Sequence, residues 1–121
     1  MTASPQPPFN LNVNESQIIE TPGYPEQYPN YANIAWIFTS SSENGVYLIE
    51  FISFALEKGW DFLYIGDGSE PSPVRSRHTL SGSQNTPVVI ASSDMWLLFQ
   101  SDFTVTRVGF RLEVSLIGKD V

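Results

Sequence analysis

The sequence predicts an all-β fold: a single-domain antiparallel β-sandwich of the jelly-roll kind. Three observations carry that prediction. Apolar and polar residues alternate over many short runs; turns rich in Gly, Pro and Asn separate those runs; and nowhere do apolar residues recur at helical spacing over three turns. Many short strands of this kind bury their apolar faces by packing sheet on sheet.

The elements follow in order. Residues 1–8 are proline-rich and without alternation, and read as linker; 9–118 read as the domain and 119–121 as a tail. An initiator Met ahead of such a linker reads as a domain excised from a longer protein. Leu11 to Glu20 predicts one or two short strands, with Val13, Ile18 and Ile19 facing inward. Thr21 to Tyr31, with three prolines and three tyrosines, predicts an ordered connection packed by aromatics. Ile34 to Thr39 is a strand, and Asn44-Gly45 is a hairpin-turn signal before the long strand Val46 to Phe54. That strand is apolar on both parities, which places it in the middle of a sheet. A tight turn around Gly59 leads into the strand Trp60 to Ile65, so Phe54 to Gly68 reads as a hairpin with Glu57 and Asp61 at its tip. Val88 to Ala91 and Met95 to Gln100 are strands, and Val108 to Leu116 closes the domain with Val108, Phe110, Leu112, Val114 and Leu116 inward.

Composition narrows the function classes. The chain of 121 residues is 41% hydrophobic and 13% aromatic, which is globular composition and enough for one core. Six basic against thirteen acidic residues give a net charge of −7. That balance repels phosphate backbones and anionic lipid, and it favours metal cations and basic protein surfaces. Nothing predicts nucleic-acid binding or direct membrane insertion. There is no signal-peptide pattern at the start and no apolar run long enough to span a bilayer. The absence of cysteine excludes disulfides and thiolate zinc sites without assigning a compartment. Asn14-Glu15-Ser16 is the one N-glycosylation sequon, relevant if the protein is secreted. Arg75, Arg77 and His78 read as a solvated, charged strand edge that blocks edge-to-edge pairing. A lone histidine and no cysteine leave neither a catalytic triad nor a usual zinc set. Glu57 and Asp61 have the residue types of a glycosidase pair, but a turn of a small sandwich supplies no deep cleft. The domain is expected not to be an enzyme.

Five stretches, in order, resemble the CUB domain, an extracellular β-sandwich module. They are Thr21-Pro22-Gly23-Tyr24-Pro25-Glu26-Gln27-Tyr28-Pro29-Asn30; Asn33 with Trp36; Phe54-Ala55-Leu56-Glu57 followed by Asp61 to Gly68; Leu80-Ser81-Gly82; and Phe99-Gln100-Ser101-Asp102 with Gly109-Phe110. The resemblance implies disulfides that this chain lacks, with Ile34 and Ser81 at positions where cysteines are expected and a shorter Glu57–Asp61 loop. The missing stabilisation is then expected from core packing, with Trp36, Phe51, Phe54, Trp60, Trp96 and Phe99 as candidates. The resemblance also implies a Ca²⁺ site at one end of the sandwich, formed by Tyr28, Glu57, Asp61 and Asp102 with the Thr104 carbonyl. Calcium takes six to eight hard oxygens, and three carboxylates more than neutralise it. The resemblance further implies a protein partner that presents Lys or Arg to Glu57, Asp102 and Tyr28. The resulting expectation is a non-catalytic, extracellular or cell-surface module for calcium-supported protein recognition within a larger protein. The alternatives are a carbohydrate-binding module, with Tyr24, Tyr31 and Trp60 as stacking residues, and a structural spacer.

Overall fold

A computed structural model of the chain describes residues 4–5, 7–41 and 45–118. Its strands are β1 (Ser4–Pro5), β2 (Phe9–Asn10), β3 (Ser16–Glu20), β4 (Asn33–Thr39), β5 (Gly45–Ala55), β6 (Phe62–Asp67), β7 (His78–Leu80), β8 (Val88–Ile90), β9 (Asp94–Gln100) and β10 (Gly109–Gly118). One sheet has the order β1-β4-β9-β6-β7, with β2 also on β4; the other has the order β3-β10-β5-β8. All pairings are antiparallel except those of β1 and β2 with β4. Within the stretch read as linker, Ser4–Pro5 therefore pairs with Ile34–Ala35.

From β3 onward the chain changes sheet at every connection but one, the antiparallel pair β6–β7. This corrects the expected pairings. β4 and β5 lie in opposite sheets, so Asn44-Gly45 does not close a hairpin between them; the turn itself lies outside the described residues. β5 and β6 are likewise in opposite sheets, and residues 56–61 form a crossover rather than a hairpin tip. The crossovers gather the loops 21–32, 56–61, 81–87 and 101–108 at one end of the sandwich, because Asn33 and Phe62 both register with Gln100, and Glu20 and Ser53 with Arg111.

The core fills the space between the sheets. Phe38, Tyr47, Ile49, Leu63, Ile65, Met95, Leu97, Phe99, Phe110, Leu112, Val114 and Leu116 are all fully buried there. β9 lies between β4 and β6 and is buried on both faces. Met95, Leu97 and Phe99 enter the main core, while Trp96 and Leu98 pack with Ala35, Ile37 and Tyr64. Gly66 makes room for Trp96: a Cβ there would collide with the indole ring. As expected, β5 is internal, and a register shift opposite Arg111/Leu112 leaves Ile52 without a partner and exposed. The shift explains why Ile49 and Phe54, on opposite sequence parities, are both buried.

Three inward assignments are corrected. Trp60 is 64% exposed, because it lies in the crossover before β6 begins. Val13 is exposed in a turn where Leu11 takes the buried place. Val108 is exposed because Gly109 adopts a φ of 93°, which interrupts the alternation; a Cβ at Gly109 would also collide with Thr21. Of the basic residues read as a strand edge, only His78 lies on the edge strand β7. Arg75 is in a short 3-10 turn and pairs with Glu70 at 3.3 Å, and Arg77 pairs with Asp67 at 3.3 Å.

Candidate metal centre

The loop-bearing end assembles four of the expected residues around one buried carboxylate. Asp61 shares strand parity with the inward Leu63 and Ile65, and is 0% exposed. A buried carboxylate needs partners, and Asp61 has them. Its Oδ2 accepts the Tyr28 hydroxyl at 2.6 Å and its Oδ1 accepts the Asp102 amide at 2.9 Å. Tyr28 is itself fixed: its ring meets Phe99 edge-on at 5.0 Å, its amide donates to the Arg107 carbonyl, and its hydroxyl accepts the Glu57 amide at 3.0 Å. The site is thus keyed directly into the core aromatics.

The Glu57–Asp61 turn is held from below. The Glu57 carbonyl accepts the amides of Trp60 and Asp61 at 3.2 and 3.0 Å. Ser81 Oγ lies within 3.1 Å of the Glu57 carbonyl and 2.8 Å of the Asp61 carbonyl, and accepts the Gly59 amide at 2.8 Å. At the position where the resemblance implies a cysteine, a serine hydroxyl pins the same loop by hydrogen bonds. On the other side, Asp102 accepts the Thr104 amide on Oδ1 at 3.3 Å, and its carbonyl accepts the Tyr31 amide at 2.8 Å. Val105 follows with a φ of 54°, a left-handed conformation disfavoured for a β-branched side chain.

One carboxylate oxygen each from Glu57, Asp61 and Asp102 lies within 4.8 Å of the others. Glu57 Oε1 is buried and has no hydrogen-bond partner among the described residues. Burial, reinforced by the charges of Asp102 and Asp61, raises the Glu57 pKa above the usual carboxylate range. Burial also raises that of Asp61, outweighing the bonds from Tyr28 and the Asp102 amide. Tyr28 is raised as well, first by burial and then by its bond to Asp61. The three acids are held together against mutual repulsion, with one buried oxygen unpartnered among the described residues. An all-oxygen, triply acidic set suits a hard divalent cation such as Ca²⁺ better than zinc, which favours nitrogen and sulfur donors.

Tyr28, expected also as a partner contact, is 1% exposed, so Glu57 and Asp102, both half-buried, supply the accessible part of the cluster. Of the stacking candidates, Tyr31 and Trp60 are 75% and 64% exposed, while Tyr24 is half-buried with its hydroxyl bonded to Ser53. Phe103, next to Asp102, is exposed too and was not singled out by pattern reading; its place in the polar run Ser101–Thr104 was the available signal. Asn14 is exposed in a turn with a φ of 75°.

Fold and site define a class: a small antiparallel β-sandwich with an oxygen-lined acidic cluster at one end. The CUB domain model matches residues 10–114, and the chain belongs to the CUB domain family. It is 32% identical over 120 residues to neuropilin-2 of Homo sapiens, covering 93% of this chain and 13% of that protein. It is 33% identical over 108 residues to cubilin of Sus scrofa, covering 85% of this chain and 3% of that protein. The chain therefore spans a small fraction of these relatives. Among solved structures, the Ca²⁺-bound CUB2 domain of MASP-1 aligns with a TM-score of 0.69 at 23% identity, covering 89% of this chain and 96% of that one. The full extracellular region of zebrafish Gpr126/Adgrg6 aligns with a TM-score of 0.75 at 19% identity, covering 92% of this chain and 14% of that one. These structural likenesses show the β-sandwich fold.

Proposed function

We propose that this domain is a non-catalytic binding module of a larger extracellular or cell-surface protein, and that it recognises protein partners with the support of a calcium ion. The observation that carries the reading is the buried, unpartnered Glu57 Oε1 within a cluster whose three carboxylates converge to 4.8 Å. A cation there supplies the missing partner and offsets the repulsion. Glu57, Asp61 and Asp102 are the charged ligands; the Thr104 carbonyl and the remaining lone pair of the Tyr28 hydroxyl complete the proposed protein set. The Ca²⁺-bound state of the MASP-1 CUB2 domain supports the choice of ion. Three carboxylates and one Ca²⁺ leave one negative charge, which suits a Lys or Arg of the partner docking against Glu57 and Asp102. The exposed rings of Tyr31, Trp60 and Phe103 belong to the same loop end and offer apolar contact around that charge.

The test is a calcium titration of chelator-stripped protein, followed by amide shifts at residues 57–61 and 102–105. The expected dissociation constant is around 10⁻⁴–10⁻³ M, the range of extracellular modules. Asp102→Ala should weaken it at least about tenfold, the loss expected for removing one charged ligand. If calcium moves neither these shifts nor the melting temperature, the site does not exist. The exposure of Trp60 and Tyr31 favours a second reading, glycan stacking. Glycan-array binding that is indifferent to calcium and lost in Trp60→Ala would select it.

A further inference from the structure

The chain is strongly acidic, and its few cations are distributed unevenly. Among the described residues, Lys58, Arg75, Arg77, Arg107 and Arg111 are the lysines and arginines. Three are neutralised locally: Arg75 by Glu70, Arg77 by Asp67, and Arg111 by Glu20 at 2.8 Å. The two without an ion pair among the described residues, Lys58 and Arg107, line the same pocket. It has a volume of about 600 Å³, and Leu56, Gly82, Ser83 and Gln84 also line it. Lys58 is positioned there by its stem, which crosses Gly82: a Cβ on Gly82 would lie 3.5 Å from Lys58 Cβ and Cγ. Gly82 has a φ of 68°, so the loop favours a residue without a side chain under that lysine. Arg107 donates from Nη1 to the Thr106 carbonyl at 3.1 Å, and its own carbonyl holds the Tyr28 amide. The pocket is walled by Ser81, the residue that pins the acidic loop, and so adjoins the carboxylate cluster.

We propose that this pocket is an anion site that takes one carboxylate side chain of a protein partner. Two cations beside the Ser83 hydroxyl suit a carboxylate, and the remaining room of the pocket admits the partner segment that carries it. Polyanions fit poorly, because the overall charge of −7 and the adjacent acidic cluster repel them. The end of the sandwich therefore presents two opposite charges side by side, complementary to an acidic and a basic residue close together on the partner. The basic half of that match rests on the function proposed above. The anion site does not.

The anion site can be tested on the chain as it is, in chelator, by NMR titration with N-acetylglutamate N-methylamide at constant ionic strength against a sodium chloride control. Saturable shifts should appear at Leu56, Lys58, Ser81–Gln84 and Arg107, with a midpoint of roughly 10–100 mM, as for a few exposed charge contacts. The double variant Lys58→Gln/Arg107→Gln should lower the response about fivefold or more, while Lys58→Arg/Arg107→Lys retains it. Both positions are exposed, so folding is expected to survive. A response in the wild type equal to that of chloride, or an undiminished response in the double variant, overturns the proposal. Saturation of the same residues by a heparin-derived oligosaccharide at lower concentrations overturns the choice of a carboxylate. Running the titration without calcium keeps its failure distinct from failure of the metal site.

Discussion

At the scale of single residues, Glu57 is where the structure stores an unfavourable charge. Its folded-state pKa is raised by burial and by Asp102 and Asp61, so ionising it is costlier in the metal-free fold than in the unfolded chain. A raised pKa contributes stability that is complete below the unfolded value, near 4.3, and is lost as pH rises through the folded value. Metal-free wild type should thus lose this contribution as pH rises from the ordinary carboxylate range through the raised folded-state value, whereas Glu57→Gln should not. In chelator, Glu57→Gln is expected to melt above wild type at pH 7, with the gap closing toward pH 4. In millimolar calcium the order should invert, because the variant has lost a charged ligand. Thermal melts of both proteins across pH, with and without calcium, check it; a variant less stable than wild type in chelator at pH 7 contradicts the assignment of strain to that carboxylate. The same residue shows what the sequence makes legible. Asp61 falls on the parity of Leu63 and Ile65, so its burial can be read in advance. Trp60 shares the opposite parity with the half-buried Phe62 and Tyr64, which marks it for the outer face.

At the scale of elements, strand positions were legible and strand partners were not. Alternation says which residues share a face; it is silent on which sheet a strand joins, because turn residues serve hairpins and sheet-to-sheet crossovers alike. Both stretches read as hairpins, around Asn44-Gly45 and around Gly59, connect opposite sheets. The crossover at 56–61 matters for function because its shape sets where Glu57 and Asp61 stand. Ser81 holds that shape through contacts to Gly59, Glu57 and Asp61. Ser81→Ala removes a hub and leaves the Asp61 carbonyl and the Gly59 amide to find other partners, while the Glu57 carbonyl keeps the Trp60 and Asp61 amides. A loss of about 1–3 kcal/mol is expected, from a few hydrogen bonds of ordinary net worth. Urea denaturation measures it, and the calcium affinity should fall in parallel as the two acids lose their common support. Unchanged stability together with unchanged affinity would show that the loop is held by its own turn alone. Neither the hub nor the convergence of Lys58 on Arg107 was visible beforehand, since both depend on how loops 56–61, 81–87 and 101–108 meet.

At the scale of the whole molecule, a domain without cysteine rests on its core and, under the proposed function, on its ion. The core is aromatic and continuous: Phe110 stacks on Phe54 at 5.7 Å and meets Phe99 and Trp36 at 5.6 and 6.0 Å, and Phe99 meets Tyr28 at 5.0 Å. That chain of rings runs from the middle of the sandwich to the acidic cluster, so ordering at the cluster is coupled to the fold as a whole. Binding to the folded state alone stabilises it by RT ln(1 + [L]/Kd). With a dissociation constant of 10⁻⁴–10⁻³ M, 10 mM calcium should contribute about 1.4–2.7 kcal/mol. For a domain of this size, that corresponds to a rise in melting temperature of roughly 5–15 °C. The rise should continue logarithmically with calcium above the dissociation constant. Sodium chloride at matched ionic strength should produce only the smaller effect of screening an acidic chain. Asp102→Ala, with its affinity down about tenfold or more, should cut the calcium increment to about 0.4–1.4 kcal/mol or less while retaining the response to sodium. An equal increment from sodium and calcium, or an increment undiminished in Asp102→Ala, would mean that the ion acts by screening the net charge rather than by occupying the cluster.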